Sequence, residues 1–151
     1  PNQVLGVFSA EWLEPLAQVL GKLGSEHVLV VHADDGLDEI SIASSTRVAE
    51  LKAGSVRSYQ VSPDQFGMKT GNVAELAVEN AQQSLTMINR VLDDTPGPAH
   101  DIVALNAGAA IYAAGVADSL QAGVEVAQQA IASGAAKQKL KDLIELSNSF
   151  K

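Results

Sequence analysis

The sequence predicts an α/β protein, and three observations carry that prediction. Two short uncharged runs rich in β-branched residues, 3–8 and 27–32, flank a segment with helical periodicity. Residues 46–52 and 56–61 alternate apolar with polar side chains around Ala53-Gly54. From about Asn72 onward the composition shifts to alanine, glutamine and leucine at helical spacing.

Residues 3–8 carry no charge, as expected of a strand buried on both faces. Ser9 is placed to cap the following helix, because its hydroxyl can accept a hydrogen bond from a free first-turn amide. Trp12, Leu13, Leu16, Val19, Leu20 and Leu23 then recur at helical spacing, with Gly24 as the stop. Pro15 lies inside that pattern, where it either removes a backbone bond or marks the true first turn. The second uncharged strand, 27–32, completes a βαβ unit with parallel strands. Sheets of this kind place ligands beyond the carboxyl ends of their strands, which is where Asp34-Asp35-Gly36-Leu37-Asp38-Glu39 falls. The alternation in 46–61 predicts a hairpin with one wet face, followed by a turn or short helical turn over 62–67. Helices are expected at about 74–93, 98–115, 119–133 and 135–149, with Asp118 or Ser119 capping the third. The small residues Asn106-Ala107-Gly108-Ala109-Ala110 predict close packing between helices, and Gly108, Gly115 and Gly123 are read as packing residues.

Composition narrows the function. A chain of 151 residues, 46% hydrophobic, suits one compact unit. No apolar run approaches the roughly twenty residues needed to cross a bilayer, and residues 1–4 lack signal-peptide features, so a cytoplasmic location is expected and no membrane partner. The lack of cysteine excludes disulfides, thiolate metal sites and cysteine nucleophiles. With 18 acidic against 10 scattered basic residues the net charge is −8, which argues against nucleic acid as a partner. A chain so acidic needs a bridging cation, or basic residues from elsewhere, to handle phosphates. It starts on Pro1 and enters a core strand at once, so a fragment is expected.

Four carboxylates, Asp34, Asp35, Asp38 and Glu39, fall within six residues. Oxygen-only ligands suit Mg2+, which takes one or two carboxylates, keeps several waters and is often completed by substrate phosphates. EF-hand spacing is missing, and a solvated turn whose aspartates cap backbone amides is the competing reading. His27 and His32 lie five apart on a strand, point to opposite faces and cannot share one ion. His100 follows a Pro-Gly-Pro turn with no evident partner, so no Ser/His/Asp arrangement can be drawn from it. Neither glycine-rich phosphate-loop pattern occurs, and Gly67-Met68-Lys69-Thr70-Gly71 has the wrong spacing for one.

A wider pattern adds to this. Gly6-Val7-Phe8-Ser9, Trp12-Leu13-Glu14-Pro15-Leu16-Ala17, Leu23-Gly24-Ser25-Glu26-His27, Val30-Val31-His32, Asp35-Gly36-Leu37-Asp38-Glu39-Ile40-Ser41, Val48-Ala49-Glu50-Leu51 and Leu105-Asn106-Ala107-Gly108-Ala109 follow one another as in anthranilate phosphoribosyltransferases, which the chain resembles almost from end to end. The resemblance implies a portion of a nucleoside phosphorylase/phosphoribosyltransferase-like α/β domain, residues 1–151 forming its C-terminal part. It implies a parent transferase of tryptophan biosynthesis that joins anthranilate to phosphoribosyl pyrophosphate (PRPP) with Mg2+, and a homodimeric parent. The family's Gly-Leu-Asp-Glu motif carries over to Asp38 and Glu39 as metal ligands, while Asp34 and Asp35 receive no family role. No catalytic residue transfers and the substrate-binding residues stay unassigned. The family's glycine-rich pyrophosphate loop, its Lys-His-Gly-Asn stretch, its anthranilate-binding arginine and its N-terminal helical domain are not in this sequence, so the chain alone is expected to be inactive. Two other readings compete: a non-catalytic binding module of the same fold, which should carry a basic face, and a nucleoside phosphorylase, against which Gly36-Leu37-Asp38-Glu39 weighs.

Overall fold

The computed structural model describes residues 1–150. Strand β1, Asn2–Gly6, runs parallel to β2, His27–Ala33, with Val4 opposite Leu29 and Gly6 opposite Val31. Between them a 3-10 turn, Ala10–Trp12, leads into helix α1, Leu13–Lys22. Strand β3, Thr46–Lys52, returns antiparallel to β2, and β4, Ser55–Val61, closes a hairpin through Ala53 (φ 51°) and Gly54 (φ 78°). Two successive positive φ angles make this the turn whose twist matches its flanking strands. The sheet order is β1-β2-β3-β4, so a parallel pair is joined edge to edge with an antiparallel hairpin.

Both faces of the sheet are covered. Leu13 and Ala17 of α1 pack with Val28, Val30, Ala49 and Leu51 on one face. On the other, Leu29, Val31 and Val48 meet Leu105, Ala109 and Tyr112 of α3, Pro98–Ala113, joined by Val91 of α2, Ala81–Leu92, and by Val124 and Ile131 of α4, Leu120–Ala132. Helix α5, Ala135–Asn148, lies outside and buries no residue. The small-residue packing is real at two positions. A Cβ on Gly108 would fall 2.6 Å from the Val124 backbone, and one on Gly123 would fall 2.3 Å from the Gly108 carbonyl oxygen. Ser119 caps α4 by accepting a hydrogen bond from the Ala122 amide at 3.1 Å. Pro15 sits in the first turn of α1, where its missing N–H costs nothing.

Four expectations need correction. Ser9 makes no capping bond; its hydroxyl donates instead to Glu11 Oε1, because a 3-10 turn intervenes before α1 begins. The helix expected over 74–93 is broken: a 3-10 turn at Val73–Leu76 is separated from α2 by Asn80, whose side chain accepts from the Gln83 amide at 2.9 Å and so restarts the helix. Gly115 is not a packing residue, since a Cβ there would meet nothing within 4 Å; at φ +74° it ends α3 in a left-handed turn. The hairpin has no simple wet face, because β3 is buried on both sides from Val48 to Leu51.

Candidate functional site

The parallel strands deliver the chain into a long loop, residues 34–45, at their carboxyl ends. This loop is tied down at nearly every step. Ala33 donates its amide to Leu37 O at 2.9 Å, Asp34 to Ser45 O at 2.8 Å and Gly36 to Ala33 O at 3.0 Å. Ser41 gives its amide to Thr46 Oγ1 at 3.0 Å, and the Ile42 carbonyl accepts from the Gly71 amide at 2.8 Å. Ile40 and Ile42 are buried in the core under α3. Gly6 presses against the loop so closely that a Cβ there would fall 1.6 Å from the Asp38 carbonyl oxygen. From the other side Asn106, midway along α3, grips Ile40 twice: its Oδ1 accepts from the Ile40 amide at 2.9 Å and its Nδ2 donates to Ile40 O at 2.9 Å.

Within this frame the four carboxylates separate into two kinds. Asp34 accepts from Arg47 Nε at 2.9 Å. Asp35 accepts from the Leu37 amide at 3.2 Å and from the Ser41 hydroxyl at 2.5 Å, closing an Asx turn. Asp38 and Glu39 are exposed, and among the described residues their side chains make no hydrogen bond or ion pair. They stand on the rim of a groove of about 580 Å³ whose walls include Leu37, Val73, Leu76, Met87, Ile88 and Val103. A pair of free carboxylates on a fixed backbone suits a cation that keeps much of its hydration shell, and Mg2+ is such an ion. The protein offers no closed cage, since among the described residues no cluster of three or more His, Asp or Glu side chains could enclose a metal.

The histidines are elsewhere. His32 shares a hydrogen bond of 2.8 Å with Val7 O through Nδ1. His100, expected to lack a partner, has two acidic neighbours: its Nδ1 is 3.2 Å from Asp101 Oδ1, and its Nε2 lies 3.2 Å from Asp94 Oδ1 without hydrogen-bond geometry. His27 belongs to a second polar cluster that the sequence did not announce. Glu50, 0% exposed on β3, takes His27 Nε2 at 2.8 Å, the Tyr112 hydroxyl at 2.7 Å, and Arg57 through Nε at 3.0 Å and Nη2 at 2.7 Å. The Tyr112 ring meets His27 edge-on at 4.6 Å, and the Lys52 ammonium lies 4.5 Å from its centroid. Burial pushes the Glu50 carboxyl up, but the hydrogen bonds from Tyr112, Arg57, His27 and Tyr59 outweigh it, and the group is held below its ordinary value. Tyr59 is raised, first by burial and then by the nearby Glu50 charge.

Sequence reasoning missed Asn106 as a site residue and Glu50 as a core residue. A signal existed for the first, because asparagine competes for backbone bonds inside a helix and needs a reason to sit there. None existed for the second, whose partners come from three other elements up to 62 residues away.

A mixed sheet with helices on both faces and an acidic loop beyond the parallel strand ends is an arrangement this chain shares with a known family. The profile of the glycosyl transferase family, a/b domain, matches residues 1–137, and the chain belongs to that family. It is 59% identical over 149 residues to the anthranilate phosphoribosyltransferase of Thioalkalivibrio sulfidiphilus, covering 99% of this chain and 44% of that protein. The Methylococcus capsulatus enzyme of the same name is 57% identical over 150 residues, again 99% of this chain and 44% of the relative. The chain thus spans about 44% of the length of these curated relatives. Among solved structures, the Thermus thermophilus anthranilate phosphoribosyltransferase superposes with a TM-score of 0.82 at 38% identity, over 91% of this chain and 40% of that one. A Saccharomyces cerevisiae anthranilate phosphoribosyltransferase in complex with PRPP and Mg superposes with a TM-score of 0.86 over 98% of this chain and 43% of that one; at 22% identity it speaks for the fold.

Proposed function

We propose that this chain is the C-terminal part of the α/β domain of an anthranilate phosphoribosyltransferase, and that Asp38 and Glu39 hold the Mg2+ that accompanies PRPP. One observation carries the metal assignment: of the four loop carboxylates, these two alone have no partner among the described residues, and they lie beyond the carboxyl ends of β1 and β2. The 59% and 57% identities to proteins of that name support the reaction.

Asp38 and Glu39 would hold the cation, which when bound would supply positive charge against that of a departing pyrophosphate. The chain's own part is to present two carboxylates whose backbone is already ordered by Gly6 and Asn106, so that little ordering is left to be done when the ion arrives. A net charge of −8 would otherwise repel a polyphosphate. The glycine-rich pyrophosphate loop and the anthranilate-binding arginine that the resemblance implies are not in this sequence, so the isolated polypeptide is proposed to have no turnover of its own. A cytoplasmic location and a homodimeric parent accompany this proposal.

Two measurements test it. Mn2+, used as a paramagnetic stand-in, should broaden the amide resonances of residues 37–41 first and lose that effect under excess Mg2+ or in the Asp38→Asn/Glu39→Gln variant. Broadening that survives the double substitution would remove the metal assignment. The isolated chain mixed with PRPP, anthranilate and Mg2+ should give no phosphoribosylated anthranilate, and its appearance would overturn the inactivity claim.

A further inference from the structure

We infer that Asn106 is a positioning residue for the metal-binding pair: its side-chain amide sets the backbone from which Glu39 projects. This rests on the assignment of Asp38 and Glu39 proposed above. The Ile40 N–H belongs to the same rigid peptide plane as the Glu39 carbonyl, so a bond to it orients Glu39 directly. Asn106 Oδ1 takes that N–H at 2.9 Å, Nδ2 donates to the Ile40 carbonyl at 2.9 Å, and the second Nδ2 hydrogen goes to Ile102 O at 3.0 Å. Two antiparallel bonds to one residue imitate a strand pairing and leave the loop no rotation about Ile40. The third bond locks the amide in the orientation that makes the other two.

The placement is specific. Ser41, Ile42 and Ala43 are held by other groups, namely Thr46, Gly71 and the Ser41 hydroxyl, whereas Ile40, the residue next to the pair, has among the described residues only Asn106 as its polar partner. The Ile40 side chain is 2% exposed, so side chain and backbone are fixed together while Glu39 stays in solvent. On the far side Asp38 is held by the close approach of Gly6. Helix α3 is itself seated by the Gly108–Val124 contact, so the amide is mounted on a rigid support. Groups behind metal ligands that fix their orientation contribute to affinity without touching the ion.

The test separates positioning from mere stability. Asn106→Ala and the near-isosteric Asn106→Leu are compared with Leu51→Ala, a buried substitution on the opposite face of the sheet, beneath α1, that lowers Tm without touching α3 or the loop. The readouts are Mn2+-induced broadening at residues 37–41, with Mg2+ competition, and hydrogen exchange of the Ile40 amide. Whichever Asn106 variant folds should expose the Ile40 amide and weaken the apparent ion affinity about tenfold or more, while Leu51→Ala changes it by less than about twofold. Affinity unchanged in the Asn106 variants despite faster Ile40 exchange would overturn the inference and leave the metal assignment standing. Absence of ion-dependent broadening at 37–41 in the unsubstituted chain would overturn both.

Discussion

Two groups of carboxylates in this protein obey opposite rules. Glu50 is wholly buried, and three side chains, from β2, β4 and α3, converge on it. Asp38 and Glu39 are exposed, and nothing among the described residues satisfies their side chains, although Gly6 presses on Asp38 and Asn106 holds the adjoining Ile40 backbone. The difference lies in where the order resides. In the sheet the protein completes the carboxylate itself, so the group serves the fold. In the loop it completes the backbone and leaves the carboxylates to something else.

The contrast can be broken most directly at Glu50. Glu50→Ala strands His27 and Tyr112 without their buried acceptor and should lower unfolding stability by about 3–5 kcal/mol, as read by urea denaturation. A loss below about 1 kcal/mol would mean that Arg57, which is largely exposed, carries the charge balance through water instead. Next in size, Gly123→Ala should cost about 1–3 kcal/mol, because the new methyl group meets the Gly108 carbonyl rather than a movable side chain. An unchanged Tm would show that α4 can step back from α3 freely.

The acid limb sharpens the comparison further. Because the folded Glu50 carboxyl titrates below its ordinary value of 4.5, the unfolded chain binds the proton first as pH falls. Its contribution is therefore complete above that value and is lost as pH drops through the lower folded one. Glu50→Gln should flatten this limb in a stability-versus-pH series, and a limb that keeps its slope would assign the acid sensitivity to other carboxylates. Smallest of all, Asp38→Asn with Glu39→Gln should shift stability by no more than about 0.5 kcal/mol while abolishing the Mn2+ response. A large stability change there would place the pair in the fold and undo the contrast.

How much could be read beforehand follows the same division. The parallel pair β1–β2 was legible because two uncharged runs around a helical segment admit few arrangements. The acidic loop was legible by position, since it must follow the second strand. That Asp38 and Glu39, rather than Asp34 and Asp35, are free was not legible from spacing: Arg47, Leu37 and Ser41 claim the first two through folding. The break before α2 had a local signal in Asn80 and Gln83, which the stronger periodicity of 74–93 outweighed.

The amino-acid sequence by itself determined the elements, their approximate order and the place where the chain gathers negative charge, because these depend on local propensity and on periodicity. Tertiary structure decided which carboxylates are spent and which are free. Alternation along β3 places Glu50 and Val48 on one face, but only the arrival of Tyr112, 62 residues later, makes that face an interior. Likewise Asn106 looks like one more small polar residue in an alanine-rich helix until folding brings Ile40, 66 residues distant, within its reach. Hydrogen bonds are short-ranged and directional, so a group's role is settled by what folding puts within 3 Å of it and not by its neighbours in sequence.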